Sequence, residues 1–207
     1  IVSTDNLTIN AGNITVTAAD DGIRGKDSLT INGGTIDVTA AGDGIKATND
    51  EDTTKGYTVI TGGTITVSAG DDAIKAESSL TIDGGDITVT ESLEAIEATN
   101  ITINGGTIDV YATDDSINAA STTSTDIFIK VTGGNLKVEV GSGDTDAFDS
   151  NGDIYISGGT IDVTAPTSAF DFDGVAELTG GTVTVNGEQI TEIVATGPGA
   201  GGGRGGW

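Results

Sequence analysis

The sequence contains no histidine and no cysteine, and these two absences exclude several classes of function. Without histidine there is neither a Ser-His-Asp triad nor a His-ligated zinc site. Without cysteine there is no disulfide, no thiolate metal site and no cysteine nucleophile. Small secreted domains often need disulfides for stability. A stacked repeat protein of this length does not, because neighbouring repeats share one core.

Basic residues are also scarce, since 8 Lys and Arg stand against 32 Asp and Glu and the formal net charge is −24. Such a surface repels nucleic acid and anionic membranes and attracts cations, so we expect no nucleic-acid partner. No apolar run reaches membrane-spanning length, so we expect no membrane insertion. The chain begins at Ile1 rather than Met, as expected of a processed or trimmed polypeptide whose signal peptide is gone.

What the sequence does contain is a repeat marked by paired glycines. The pairs begin at Gly33, Gly62, Gly84, Gly105, Gly133, Gly158 and Gly180, and Ala11-Gly12 is a degraded copy. The shorter spacings give a unit of about 22 residues, and a fixed period of this size is the signature of a solenoid. The longer units carry polar insertions at residues 49–56, 120–126 and 141–144, which are predicted to be surface loops.

Each unit contains three short apolar runs with a period of two residues, which is typical of half-buried strands. In one unit these runs are Leu29 with Ile31, Ile36 with Val38, and Ile45. The pattern predicts an all-β fold, a right-handed parallel β-helix of about eight coils with three strands per coil. We expect one domain over residues 1–196, followed by a Gly-rich tail, 197–207, that is a flexible linker or a cap on the last coil.

Aligned repeats stack equivalent residues into columns. One apolar column comprises Ile14, Ile36, Ile65, Ile87, Ile108, Leu136, Ile161 and Val183, and the next comprises Val16, Val38, Val67, Val89, Val110, Val138, Val163 and Val185. An acidic column comprises Asp21, Asp43, Asp72, Glu94, Asp115 and Asp146. We expect these acids to lie at a corner and face outward, because an isolated carboxylate does not enter an apolar core.

The residue three positions after each acid changes character along the chain. This second column comprises Arg24, Lys46, Lys75, Glu97, Asn118, Asp149 and Asp171. Two like charges about 4.8 Å apart repel by roughly 0.9 kcal/mol in water and about 3.5 kcal/mol at an effective dielectric constant of 20. The first three coils therefore neutralise their acids internally, whereas the later coils need an external cation.

Clustered carboxylates with an amide are the hard oxygen ligands that calcium prefers. The predicted calcium ligands are Asp72, Glu94, Glu97, Asp114, Asp115, Asn118, Asp146, Asp149, Asp171 and Asp173. The alternative is that each Asp merely stabilises a turn through its own backbone. That alternative explains a single position more easily than a column in which the base disappears and the acid persists.

The Asp-Gly-Ile-Lys-Ala corner at Asp43, the Asp-Ala-Ile-Lys-Ala corner at Asp72 and the Gly-rich tail resemble a family of secreted bacterial carbohydrate-binding β-helix proteins. That family is similar in fold to pectate-lyase-type polysaccharide lyases. The resemblance implies binding of calcium and of acidic plant cell-wall sugars. Asp114-Asp115-Ser-Ile-Asn118 resembles the Asp-Asp-x-x-Asp calcium cluster of such lyases, except that Asn replaces the last Asp.

We therefore expect a secreted or cell-surface bacterial protein, a monomer, that binds an acidic polysaccharide of the polygalacturonate or pectin type through calcium, with cellulose as a second candidate. The predicted ligand-binding residues are Lys46, Lys75 and Tyr111. One alternative is a calcium-dependent lyase acting by β-elimination, which needs a Lys or Arg base. The in-register Asp beside Lys46 and Lys75 would hold each lysine protonated, which argues against it. A second alternative is a purely structural or adhesin rod.

Overall fold

The computed structural model describes residues 1–143 and 145–196. In these ranges the chain forms 21 β-strands and no helix, and all strands belong to one hydrogen-bonded sheet. Every pairing among the described strands is parallel except one antiparallel pairing at their C-terminal end. The prediction of an all-β chain of mainly parallel strands is confirmed. No described segment is a helix of the kind that crosses a membrane.

The parallel pairings form three ladders, because each strand pairs with the equivalent strand of the next repeat. The first ladder contains β1 (Val2–Ser3), β4 (Ile23–Gly25), β7 (Ile45–Ala47), the beginnings of β10 (Ile74–Ile82) and β12 (Ile96–Ile103), β14 (Ile117–Ala119), β17 (Asp146–Ser150) and β19 (Ser168–Phe172).

The second ladder contains β2 (Asn6–Ile9), β5 (Ser28–Ile31), β8 (Tyr57–Ile60), the ends of β10 and β12, β15 (Phe128–Val131), and the beginnings of β18 (Asp153–Thr164) and β20 (Ala176–Val185). The third contains β3 (Asn13–Ala18), β6 (Thr35–Ala40), β9 (Thr64–Ala69), β11 (Asp86–Glu91), β13 (Thr107–Ala112), β16 (Asn135–Val140) and the ends of β18 and β20. This pattern is consistent with a solenoid.

The register within the ladders stacks identical side-chain types, and both predicted apolar columns are confirmed. In the third ladder the first column runs in register from Ile14 to Val183 and the second from Val16 to Val185. Their members in the middle of the ladder are buried, whereas Ile14 and Val16, at the end of the ladder, are half-buried. The core is therefore a continuous set of columns, and each repeat completes the burial of its neighbours.

The paired glycines form the corner between the second and third ladders. The second glycine of each pair has a positive φ, for example +105° at Gly85, a conformation that favours glycine. A Cβ atom at Gly85 would lie 3.1 Å from the carbonyl oxygen of Gly63 in the preceding repeat. The glycines are required both by the turn and by the close approach of stacked corners.

The C-terminal end of the sheet is covered by a hairpin. Asn186 and Gly187 both have positive φ and join β20 to β21 (Glu188–Ile190) as a two-residue turn. Farther on, the Oγ1 atom of Thr196 accepts a hydrogen bond from the Ala169 amide at 2.9 Å. An edge that would otherwise expose unpaired backbone groups is thus partly satisfied. The predicted Gly-rich tail, 197–207, lies outside the described residues.

The glycine corner yields a stability prediction. Gly85→Ala is expected to destabilise the protein by about 1–3 kcal/mol, because it adds both an unfavourable φ and a contact with the Gly63 carbonyl. Gly12→Ala is the matched control: its φ is +116°, but no atom of the described residues lies within 4 Å of the added Cβ. Chemical denaturation should show a larger loss for Gly85→Ala. Equal losses would mean that stacked corners impose no steric constraint.

Candidate functional site: the acidic corner

The acidic corner is the turn between the third and first ladders, and its two columns are aligned as the sequence predicts. Arg24, Lys46, Lys75, Glu97, Asn118, Asp149 and Asp171 are consecutive register partners. The first three of the acids three positions earlier are joined by hydrogen bonds. The Asp43 amide donates to Oδ1 of Asp21 at 3.3 Å, and the Asp72 amide donates to Oδ1 of Asp43 at 3.1 Å. The repeat therefore delivers one carboxylate to the same place in successive turns.

The expectation that these acids face outward is wrong for two of them. Asp43 is 4% exposed and Asp72 is 3% exposed. Each forms an ion pair with the lysine three residues later. The Nζ–Oδ2 distance is 2.6 Å both between Lys46 and Asp43 and between Lys75 and Asp72. A buried carboxylate is tolerated when it is paired and hydrogen-bonded. Asp43 accepts from the Asp72 amide as well as from Lys46, and Asp72 accepts from Lys75.

Each lysine also bridges two turns of the chain. Nζ of Lys46 lies 3.0 Å from Oδ2 of Asp21, and Lys75 forms a second ion pair with Glu97. Burial opposes the charged form of both lysines, but hydrogen bonds to their carboxylate partners outweigh it and raise the pKa of each. Both side chains therefore stay protonated. They are unsuited to act as a base, and their charge is already shared between carboxylates.

The compensation ends at Lys75. In the described part of the chain no Lys or Arg forms an ion pair with Glu94, Asp115 or Asp149. Burial, followed by the charges of Glu97 and Asp72, raises the pKa of Glu94 to about 8. Burial and neighbouring carboxylates raise the pKa of Asp149 to about 7, and burial raises that of Asp115 to about 6. None of these three carboxyl groups therefore has a positively charged partner among the described residues to balance it when it ionises.

Oxygen ligands converge at the point where the lysines stop. One oxygen each from Asp72, Glu94 and Glu97 lies within 4.8 Å of the other two. Asn118, which is 8% exposed, hydrogen-bonds to Glu94. Yet its Oδ1 and Oε2 of Glu94 are buried without a hydrogen-bond partner among the described residues. Buried acceptors without donors are costly, so the oxygens of Glu94 and Asn118 fit a hard cation such as calcium, whereas Asp72 and Glu97 already contact Lys75.

The remaining predicted ligands lie along the same corner or beyond its end. Asp114 is half-buried next to Asp115. The Asp146 amide donates to Oδ1 of Asp115 at 2.7 Å. Asp171 continues the column beside Asp149 but is exposed, as is Asp173. Tyr111 lies on the adjoining third ladder, half-buried and opposite Glu139.

A cleft beside the acidic corner is a feature that the sequence analysis does not identify. It has a volume of about 720 Å³ and lies between loop 49–56 and loop 120–126. Its floor includes Lys75 and Glu77 of β10 and Glu97 and Thr99 of β12. The cleft could have been predicted from the aligned repeats. Both loops follow a strand of the first ladder, and the two repeats between them lack an insertion at that position.

The uncompensated carboxyls predict an unusual dependence of stability on pH in metal-free protein. The folded state binds these protons more tightly than the unfolded chain, whose carboxyls titrate near pH 4. Unfolding therefore releases protons between about pH 4 and the folded pKa of Glu94 near 8, and the free energy of unfolding falls as pH rises. We expect a higher melting temperature in EDTA at pH 5.5 than at pH 8. A lower one would contradict the assigned charge imbalance.

Comparison with known proteins agrees with a binding role. The sequence model of a family described as "Carbohydrate-binding domain-containing protein" matches residues 1–147, which include the corner as far as Asp146 and both walls of the cleft. No curated protein and no solved structure matches the chain significantly. Since the match spans well over half of the sequence, the chain belongs to this carbohydrate-binding domain family.

Proposed function

We propose that this chain is a non-catalytic module that binds acidic polysaccharide of the polygalacturonate or pectin type through calcium held at the acidic corner. The observation that carries the proposal is the end of internal charge compensation at Lys75. Beyond it the corner continues with Glu94, Asp115 and Asp149, which have no ion-pair partner among the described residues. Cellulose is a second candidate ligand.

Four side chains would hold the ion: Glu94, Asn118, Asp115 and Asp149. They are supported by register, because Asn118 pairs with Glu97 on one side and Asp149 on the other, and Glu94 and Asp115 lie three residues before Glu97 and Asn118. When bound, calcium would neutralise the corner and offer open coordination positions to a uronate carboxylate. The chain's own contribution is to hold its oxygens at fixed spacing and to limit their exposure to water.

The charge of the chain supports a bridging cation for an acidic ligand. With a net charge of −24 the protein repels a polyuronate. Lys46 and Lys75 are predicted ligand-binding residues, but each already contacts two carboxylates. An incoming carboxylate would compete with those partners, so calcium is the better source of attraction. Tyr111 remains a predicted contact for the sugar ring.

The protonation state of Lys46 and Lys75 supports binding rather than catalysis. A β-elimination needs a neutral base beside the metal-bound acid sugar. The paired carboxylates raise the pKa of Lys46 and of Lys75 instead. The family description also names binding. We propose that the chain has no lyase activity.

The fold and the location of the protein are also part of the proposal. The three ladders and the recurrent offset of 22 residues between hydrogen-bonded partners support a right-handed parallel β-helix of about eight coils. We place the protein outside a bacterial cell, secreted or on the surface, as a monomer on plant cell-wall material. The absence of cysteine is compatible with that setting, since stacked repeats supply the stability.

Calorimetry and affinity pull-down test the proposal. Protein stripped with chelator should take up calcium and gain about 5–10 °C in melting temperature at saturating ion, because binding stabilises only the folded state. Glu94→Gln should weaken calcium uptake at least tenfold, while Glu91→Gln, an exposed residue of the third ladder, should leave it unchanged. Equal uptake by both variants would place the ion elsewhere.

The ligand is tested with insoluble polygalacturonate. Pull-down should occur with calcium and be lost in EDTA, without any rise in absorbance from unsaturated product. Pull-down that survives complete removal of calcium would contradict bridging. Growth of the absorbance would instead identify a lyase.

A further inference from the structure

The cleft between the two loops has the arrangement of a channel, with a loop on each side and two strands between them. Loop 49–56 and loop 120–126 line the cleft on either side, and the strands β10 and β12, which lie between them in the first ladder, have no insertion at this position. Neighbouring strands are about 4.8 Å apart, so the floor is two strands wide. Such a channel admits one extended polymer chain lying parallel to the strands.

The two walls are preorganised by local hydrogen bonds. In the first, the Asn49 side chain donates to Oδ1 of Asp27 at 2.8 Å and accepts from the Asp52 amide at 2.9 Å. In the second, Oγ of Ser121 accepts from the Ser124 amide at 3.0 Å. A ligand entering the channel therefore meets loops that are already ordered, which lowers the entropic cost of binding.

The lining is rich in hydroxyl, amide and carboxylate oxygens. Among the described residues that line the cleft, Asp50, Glu77, Glu97 and Asp126 are acidic, and the single basic residue, Lys75, is already paired with Asp72 and Glu97. None of these lining residues is aromatic. The cleft thus repels a polyanion, offers strong acceptors to ligand hydroxyl groups, and lacks a flat surface for stacking against a crystalline polymer.

We propose that this cleft is a second carbohydrate-binding site, independent of calcium, that takes a single neutral, hydroxyl-rich glycan chain. Its volume lies within the usual range for ligand sites of proteins. The carboxylate of Glu77, exposed on the floor, accepts hydrogen bonds from ligand hydroxyls, and the loops confine the chain laterally. The site does not depend on the calcium site, although the two meet at Lys75 and Glu97.

Two variants test the cleft without disturbing the corner acids. Glu77→Gln removes one charged acceptor and leaves the shape unchanged, with Glu91→Gln as the control of the same chemistry outside the cleft. Deletion of residues 121–126 removes one wall. It leaves two residues between Ala119 and Phe128, as β10 has two between Ala76 and Ser79, so the chain itself shows that this corner closes without the loop.

The experiment is calorimetric titration of the full chain in EDTA with cellohexaose, with xylohexaose and hexagalacturonate in parallel. We expect binding of a neutral oligosaccharide and none of hexagalacturonate. Glu77→Gln should weaken neutral binding about threefold to tenfold, the difference between a charged and a neutral acceptor in one hydrogen bond. The deletion should abolish neutral binding while calcium uptake persists, which also reports that the variant is folded.

The outcomes separate this proposal from the calcium proposal. If neither neutral sugar binds, or if neutral binding is unchanged in both cleft variants, the cleft is not a carbohydrate site, whatever happens with calcium. If neutral binding behaves as expected but calcium-dependent pull-down of polygalacturonate fails, the cleft assignment stands and the acidic-corner proposal is wrong.

Discussion

The parallel pairing of equivalent strands is the constraint from which the other properties of this protein follow. Because each ladder is in register, any residue type repeated in sequence is stacked at a spacing of about 4.8 Å. For Ile36 and Val38 this produces a dry core. For the acids of the corner it produces a line of like charges. The same geometry therefore stabilises the fold on one side of the chain and creates an electrostatic cost on the other.

The chain meets that cost differently along its length. Lys46 and Lys75 each connect carboxylates of two successive turns, so two lysines compensate more of the corner than the sequence spacing alone indicates. Glu97 also belongs to this network, although no Lys or Arg lies close to it in the sequence. From Glu94 onward, uncompensated carboxylates follow one another along the corner. Their raised pKa values indicate that the metal-free protein responds by keeping these groups protonated.

The columns could be predicted from the sequence because, in a regular repeat, residues one repeat length apart lie in contact. The strand positions, the apolar columns and the Asp-to-Lys pairs all follow from alignment. The sequence could not predict the burial of Asp43 and Asp72, because burial depends on whether the lysine side chain folds back onto the carboxylate. It also missed the cleft, because its two walls are separated by about 70 residues and meet only through the stacking of the intervening turns.

Diffraction from crystals grown in calcium would show whether an external cation completes the corner beyond Lys75. We expect an anomalous difference peak next to Glu94 and Asn118, with carboxylate and amide oxygens at about 2.4 Å. Oδ1 of Asn118, which lacks a hydrogen-bond partner among the described residues, should become a ligand. If crystals in saturating calcium near pH 8 show no ion at this corner, the corner is not a cation site.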